Sequence, residues 1–251
     1  MATLEWQLAT VAEKIGETAK AYSIGLDVPQ WSREAKAGQH VDVRLTAEDG
    51  YQAQRSYSIA SPPESELVWL TVERLEDGEV SPYLTDELRV GDLLELRGPI
   101  GGYFVWEATN GEQPDNPLVL IAGGSGIVPL MAMIRHRAHL QSRIPTRLLY
   151  SARSGEEIIY RTELGALTEA NDGFEATFTL TRHAPAGWTG YARRIDRTML
   201  AETVFEPEQE PDIFICGPTA FVESAAELLQ NLGHEAGRIK TERFGPTGGK
   251  I

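Results

Sequence analysis

Apolar and polar positions along the chain change rhythm once. Up to about residue 107 the apolar residues come in short alternating or β-branched runs: 39–45 (QHVDVRL), 56–60 (SYSIA), 67–75 (LVWLTVERL) and 92–97 (DLLELR). Gly and Pro turns separate them, the pattern of an antiparallel barrel or sandwich. One helix is predicted here, over 82–89, with Ser81 as its N-cap. From residue 117 onward, apolar strands take turns with amphipathic helices. Strands are predicted at 117–122, 147–151, 174–181, 212–216 and about 238–243, and helices at 127–141, 160–170, near 196–203 and at 219–232. That alternation builds a parallel, helix-covered sheet. The polar, Gly- and Pro-bearing stretch EATNGEQPDN around 108–116 reads as a linker, dividing the chain into domains at 1–107 and 117–251.

Two strand-to-helix turns in the second domain carry the chemistry. Ligands of open parallel sheets sit beyond the carboxyl ends of the strands, near the switch in strand order. Gly123, Gly124 and Gly126 follow the apolar strand LVLIA directly, and Ile127, Val128 and Pro129 open the next helix. Missing side chains let the chain turn sharply and let phosphate oxygens reach the amides. Cys216, Gly217 and Pro218 have the same setting at the end of DIFIC. Cys216 has two readings, an inert buried thiol or a residue in the ligand-facing place.

In the first domain, Arg55, Tyr57 and Ser58 lie on one strand, Arg55 and Tyr57 on the same face. A guanidinium fork suits a diphosphate, a tyrosine offers a flat face to a flat ring, and a hydroxyl can bond a ring nitrogen. The residues 78–81 (GEVS) precede the predicted helix, so the amides of Gly78, Val80 and Ser81 could receive a diphosphate. Residues 98–104 (GPIGGYF) read as a hairpin corner.

Composition narrows the class. The chain has 251 residues with ordinary hydrophobic and charged content, enough for two modest domains. No run approaches the ~20 apolar residues of a membrane span, and the start lacks a basic head before an apolar stretch. A cytoplasmic protein with no membrane insertion is expected. A net charge of −14 disfavours nucleic acid. One cysteine excludes an internal disulfide or a cysteine-ligated cluster, and the five histidines lack metal-ligand spacing, so no metal site is expected. The run Arg135, His136, Arg137, His139 and Arg143 reads as cations complementing a helix end.

Taken in order, RSYS, GEVS, GPIGGYF, GGSGIVP, CGP and a terminal ERF resemble the ferredoxin–NADP reductase superfamily over about residues 10–245. The resemblance implies an all-β antiparallel flavin-binding barrel followed by an α/β parallel-sheet nucleotide-binding domain. It implies FAD rather than FMN as the flavin, and NADPH or NADH as co-substrate. Arg55 would hold flavin phosphate, Tyr57 would pack along the isoalloxazine and ribityl, and Ser58 would bond the hydride-accepting nitrogen. Thr71 and Glu73 join the flavin site with Gly78, Val80 and Ser81. Phe244 either covers the flavin ring or lies in a frayed tail. The turn at 123–127 would meet the nicotinamide dinucleotide, and Cys216 would lie near the nicotinamide carbon.

The implied reaction is hydride transfer from NAD(P)H, bound across the domain interface, to FAD, and onward electron transfer to a separate acceptor. Residues 245–251 (GPTGGKI) look like the start of a linker; relatives with a fused iron–sulfur domain carry its cysteines next, and none follow here. A ferredoxin, flavodoxin or oxygenase-type partner is therefore expected. Two alternatives stand: a flavin reductase that uses free flavin as substrate, and a non-catalytic nucleotide-binding electron-relay subunit. Arg153, Thr181 and Arg182, at the carboxyl ends of their strands, lean the choice of nucleotide toward NADPH. Arg182 belongs to a second basic group with His183, Arg193, Arg194 and Arg197.

Overall fold

Six strands fill the first half of the chain: β1 (Gln7–Gly16), β2 (Ala21–Asp27), β3 (His40–Thr46), β4 (Gln52–Ser58), β5 (Val68–Glu73) and β6 (Leu93–Ile100). The computed structural model describes residues 4–32, 35–107 and 116–244. Most of the expected linker and the tail 245–251 lie outside the described residues. The chain forms two compact units, one comprising Met1–Glu107 with Met131–Leu140, the other comprising Ala108–Leu130 with Gln141–Ile251.

In the first unit the strands run β4-β3-β6-β1-β2-β5, every pair antiparallel. Just past β4, Ile59 bridges Leu70 and the Ala60 amide donates to the Trp69 carbonyl at 2.7 Å. These bonds bring the two edge strands together and close the sheet into a barrel. Val41, Val43, Ile24, Leu26, Leu70, Val72, Leu94 and Leu96 fill its interior. Val80, Leu84 and Leu88 join that core, four residues apart, so one helical face of the segment is buried.

That segment differs from expectation. Its helix is a short π-helical turn, Tyr83–Glu87, whose cap residue is Pro82 and makes no side-chain cap bond. The Ser81 hydroxyl instead accepts from the Leu75 amide at 3.0 Å, satisfying a donor in the turn before the helix. Lys14 finishes the turn from β1, its ammonium donating to the carbonyls of Thr85 and Leu88, each at 2.8 Å.

The strand expected at 56–60 lies earlier, at β4, because its pairing with β3 extends to Gln52 opposite Thr46. The basic run after residue 134 does stand at a helix end, with His136, Arg137 and His139 in the last turn of the helix Ile127–His139, and part of it is also held by neighbours. Arg135 donates to the Ala60 carbonyl at 2.8 Å, His136 Nδ1 lies 2.7 Å from a Glu64 oxygen, and Arg137 is buried. These contacts lie within the first unit, to which Met131–Leu140 belongs.

The second unit holds β7 (Leu118–Gly123), β8 (Thr146–Ser154), β9 (Phe174–His183), β10 (Asp212–Pro218) and β11 (Ile239–Phe244). The helix α1 (Ile127–His139) begins in this unit and from Met131 belongs to the first, while α2 (Arg161–Glu169), α3 (Arg197–Thr203) and α4 (Thr219–Asn231) lie in the second. The strands form one parallel sheet in the order β11-β10-β7-β8-β9. β7 is buried along its whole length, as a central parallel strand must be. Val119, Ile121, Ile213 and Ile215 pack with Met199, Leu200, Val222 and Leu229 from α3 and α4. Asp196 caps α3, accepting from the Met199 amide at 2.8 Å. Strand order reverses direction at β7 and β10, the place where this architecture receives ligands.

Candidate functional site

In the first unit, the pairing of β3 with β4 sets Arg55 opposite Val43, Tyr57 opposite Val41 and Ser58 opposite His40. Tyr57 packs against the barrel core, and burial pushes its phenol up to about 12, with the Arg55 charge acting weakly the other way. Ser58 is half-buried at the strand end. Arg55 stays exposed and reaches the GEVS turn. Its Nη2 donates to Glu79 Oε2 at 2.5 Å and its Nη1 to the Gln54 carbonyl at 2.6 Å. Tyr51 donates its hydroxyl to the other Glu79 oxygen at 2.7 Å. Hydrogen bonds from Tyr51 and then Arg55 hold the Glu79 carboxyl below its usual range.

The fold therefore brings Arg55 and the turn containing Gly78, Val80 and Ser81 together. Gly78 lies so close to Ser81 that a Cβ there would sit 2.8 Å from the Ser81 hydroxyl. Val80 is buried in the barrel core. Thr71 is buried within β5, its hydroxyl 2.8 Å from that of Ser23. Glu73, half-buried, ends β5 opposite Ala21.

In the second unit the turns after β7 and β10 are built against each other. Gly124–Gly126 makes a short 3-10 turn that runs into α1. A Cβ on Gly126 would lie 2.1 Å from the Cys216 carbonyl oxygen, so only glycine lets the two backbones meet. Gly123 and Gly217 are closed in by the Phe221 ring, at 2.9 and 2.8 Å from their would-be Cβ atoms. Gly124 differs: its φ is +56° and nothing lies within 4 Å of its Cβ position. It is the glycine of this turn whose backbone faces open space, at the start of a helix where amides lack intrahelical acceptors. Ile127 is fully buried and anchors the turn. Pro218 precedes α4 as its cap residue.

Cys216 and Glu242 are register partners on β10 and β11. Cys216 is 2% exposed, and its thiol is raised well above its usual value, first by burial and then by the Glu242 charge, with the Gly217 amide opposing. Burial lifts the Glu242 carboxyl to about 7. Its Oε2 is buried without a hydrogen-bond partner among the described residues. Sequence reasoning passed over Glu242 as a site residue, since its place beside Cys216 depends on the register of two strands far apart in the chain. Phe244 ends β11, paired with Pro218 and 38% exposed, and so is held in the sheet rather than in a frayed tail.

β8 and β9 run further than expected and take in Arg153 and Arg182 respectively. Pairing shifts between Ala152 and Ser154, so Arg153 stands at an irregularity beside Thr181 and Arg182. The Thr181 hydroxyl donates to the Ala152 carbonyl at 3.2 Å. Arg153 and Arg182 are exposed and form no ion pair with other described residues. Arg193, from the same basic group, is instead turned onto Asp196 at 2.6 Å.

An exposed guanidinium beside a glycine turn in one unit suits a flavin diphosphate. A glycine with open space beside it at the start of a helix, and a pair of exposed arginines at strand ends, suit a dinucleotide in the other. Comparison with known proteins agrees. The oxidoreductase FAD-binding domain model matches residues 8–105 and the oxidoreductase NAD-binding domain model residues 120–227. The glycine betaine monooxygenase reductase subunit of Pseudomonas aeruginosa is 33% identical over 214 residues, 84% of this chain. This chain spans 57% of that relative's length. NADH-cytochrome b5 reductase 1 of Aspergillus oryzae is 30% identical over 244 residues, 93% of this chain and 81% of that protein. The FAD/NAD-binding domain of nitric oxide dioxygenase from Vibrio cholerae matches with a TM-score of 0.83 at 27% identity, covering 96% of this chain and 99% of that one. The chain thus belongs to the ferredoxin–NADP reductase superfamily of NAD(P)H-dependent flavin oxidoreductases, with FAD and a nicotinamide nucleotide as its cofactors.

Proposed function

We propose that this chain takes hydride from NAD(P)H and passes electrons to a separate acceptor, an oxygenase component or a small electron-transfer protein. Bound FAD supplies the conversion of a two-electron hydride into single electrons. The observation that carries the reading is the pair of turns at the reversal of strand order, which back onto each other at Gly126 and Cys216 and leave the Gly124 backbone open. The names of two relatives, a monooxygenase reductase subunit and a cytochrome b5 reductase, support an external acceptor.

Each residue then has a task. Arg55 and the amides of Val80 and Ser81 would bind the flavin diphosphate, with Gly78, whose amide donates to the Leu75 carbonyl at 3.0 Å, shaping the turn. Tyr57 lays its ring along the flavin, and Ser58 offers a hydroxyl to the flavin ring nitrogen that takes up hydride. Thr71, hydrogen-bonded to Ser23, and Glu73 would shape the flavin side of β5. Gly124 would receive the nucleotide phosphates, with Gly123, Gly126 and the buried Ile127 shaping the turn around it, while Gly217 and Pro218 would hold Cys216 toward the nicotinamide. Burial raises the Glu242 carboxyl to about 7, so beside Cys216 it keeps a proton below neutral pH and gives it up above. Arg153 and Arg182, with Thr181 between them, recognise a 2′-phosphate, which favours NADPH.

Anaerobic titration of the purified protein with NADPH and then NADH tests this. Bleaching of a bound-flavin spectrum by either nucleotide, and its return on adding an acceptor, is the expected result. A protein that holds no FAD, or whose FAD neither nucleotide reduces, would overturn the proposal.

A further inference from the structure

The Arg55 guanidinium already carries an anion of the protein's own. Glu79 Oε2 sits 2.5 Å from Arg55 Nη2, and Tyr51 grips the other Glu79 oxygen at 2.7 Å. We infer that Glu79 is a built-in competitor for the flavin diphosphate: its carboxylate occupies the Arg55 fork until the diphosphate displaces it, and Tyr51 retains it afterwards. The inference rests on the flavin reading of Arg55 and adds a residue that sets how tightly the flavin is held.

The geometry supports displacement. A guanidinium presents donors in one planar fork suited to either a carboxylate or two phosphate oxygens. In Arg55, Nη1 is turned back to the carbonyl of its own neighbour, Gln54, which leaves Nη2 for the incoming anion. That is the nitrogen Glu79 takes. Both side chains are about half exposed, 53% for Arg55 and 47% for Glu79, so water can take over the carboxylate when it leaves. The main chain around Glu79 need not move with it, because Ser81 is tied to Leu75 and Gly78 is packed against Ser81. The carboxylate is ionised throughout the neutral range, with Tyr51 and Arg55 both favouring its charged form. A diphosphate brought to Arg55 thus meets a like charge that must yield, which lowers affinity and speeds release.

The test is flavin binding by the full chain freed of flavin, followed by fluorescence, with FAD and riboflavin as probes. Exposed ion pairs of this kind have small energies, so Glu79→Gln is expected to tighten FAD by about two- to fivefold and to slow FAD release from the holoprotein in proportion. Riboflavin has no phosphate and should bind Glu79→Gln and the unmodified chain alike. In an Arg55→Ala background, which itself weakens FAD, the gain from Glu79→Gln should shrink, because the contested fork is gone. Unchanged or weaker FAD binding by Glu79→Gln would overturn the inference and make Glu79 an orienting partner of Arg55. An equal gain for riboflavin would overturn it as well. Arg55→Ala binding FAD as tightly as the unmodified chain would instead remove the flavin reading of Arg55.

Discussion

Cys216 and Glu242 stand side by side on neighbouring strands, a buried thiol and a half-buried carboxyl at the carboxyl end of the sheet. Burial disfavours the ion of each, and the Glu242 charge raises the thiol further. The consequence is a titration that reports on folding. The Glu242 carboxyl moves from an ordinary 4.5 to about 7 in the folded chain. Between those values the folded state binds more protons than the unfolded one, so stability falls as pH rises. The stabilisation is complete below pH 4.5 and gone above about 7, a change on the order of 3 kcal/mol. Urea unfolding of Glu242→Gln against the unmodified chain at pH 5 and pH 8 checks it. The variant should lose that fall, and parallel profiles would reject it.

The Cys216 thiol should resist modification in the folded chain. It is 2% exposed and its ionisation is disfavoured by burial. Reaction with a neutral disulfide reagent at pH 8 is expected to be roughly a hundredfold slower than in urea, since only the thiolate attacks. Equal rates with and without urea would show an open thiol.

Two glycines of one turn should respond differently to alanine. Gly126→Ala would drive a methyl into the Cys216 carbonyl and is expected to cost about 2–4 kcal/mol. Gly124→Ala meets no atom and bears only its left-handed backbone, about 1 kcal/mol. Gly124→Asn should recover part of that, as asparagine tolerates this conformation. Thermal and urea unfolding of the three variants give the order directly.

Arg153→Ala should raise the apparent KM for NADPH by about tenfold while leaving NADH unchanged, the size of one lost charge-assisted contact to a phosphate. Steady-state kinetics with both nucleotides decide it. The same shift for both would take the 2′-phosphate away from Arg153.

Much of the architecture was legible because its signals are local. The unbroken apolar run of β7 followed by three glycines announces a buried parallel strand and a tight turn within a few residues. β1 did not announce itself: a register shift between Val11 and Glu13 breaks the alternation that marks a half-buried strand. β2 is buried on both faces over most of its length and so has no alternation to read. Ser81 has the composition of a cap and the position of one, yet its hydroxyl serves Leu75. Glu79 and Glu242 were invisible as site residues for a common reason. Each acquires its partner through pairing with a distant segment, and nothing in the adjoining residues encodes which segment that is.

The contact between Gly126 and the Cys216 carbonyl also bears on redesign. With the two inner turns locked together, a change of nucleotide preference introduced there risks the whole sheet. Arg153 and Arg182, exposed at an irregularity between β8 and β9, can be replaced at little structural risk. On the proposed 2′-phosphate role of Arg153 and Arg182, scaffold and selectivity would occupy different positions, which would make this sheet a tractable starting point for exchanging one coenzyme for the other.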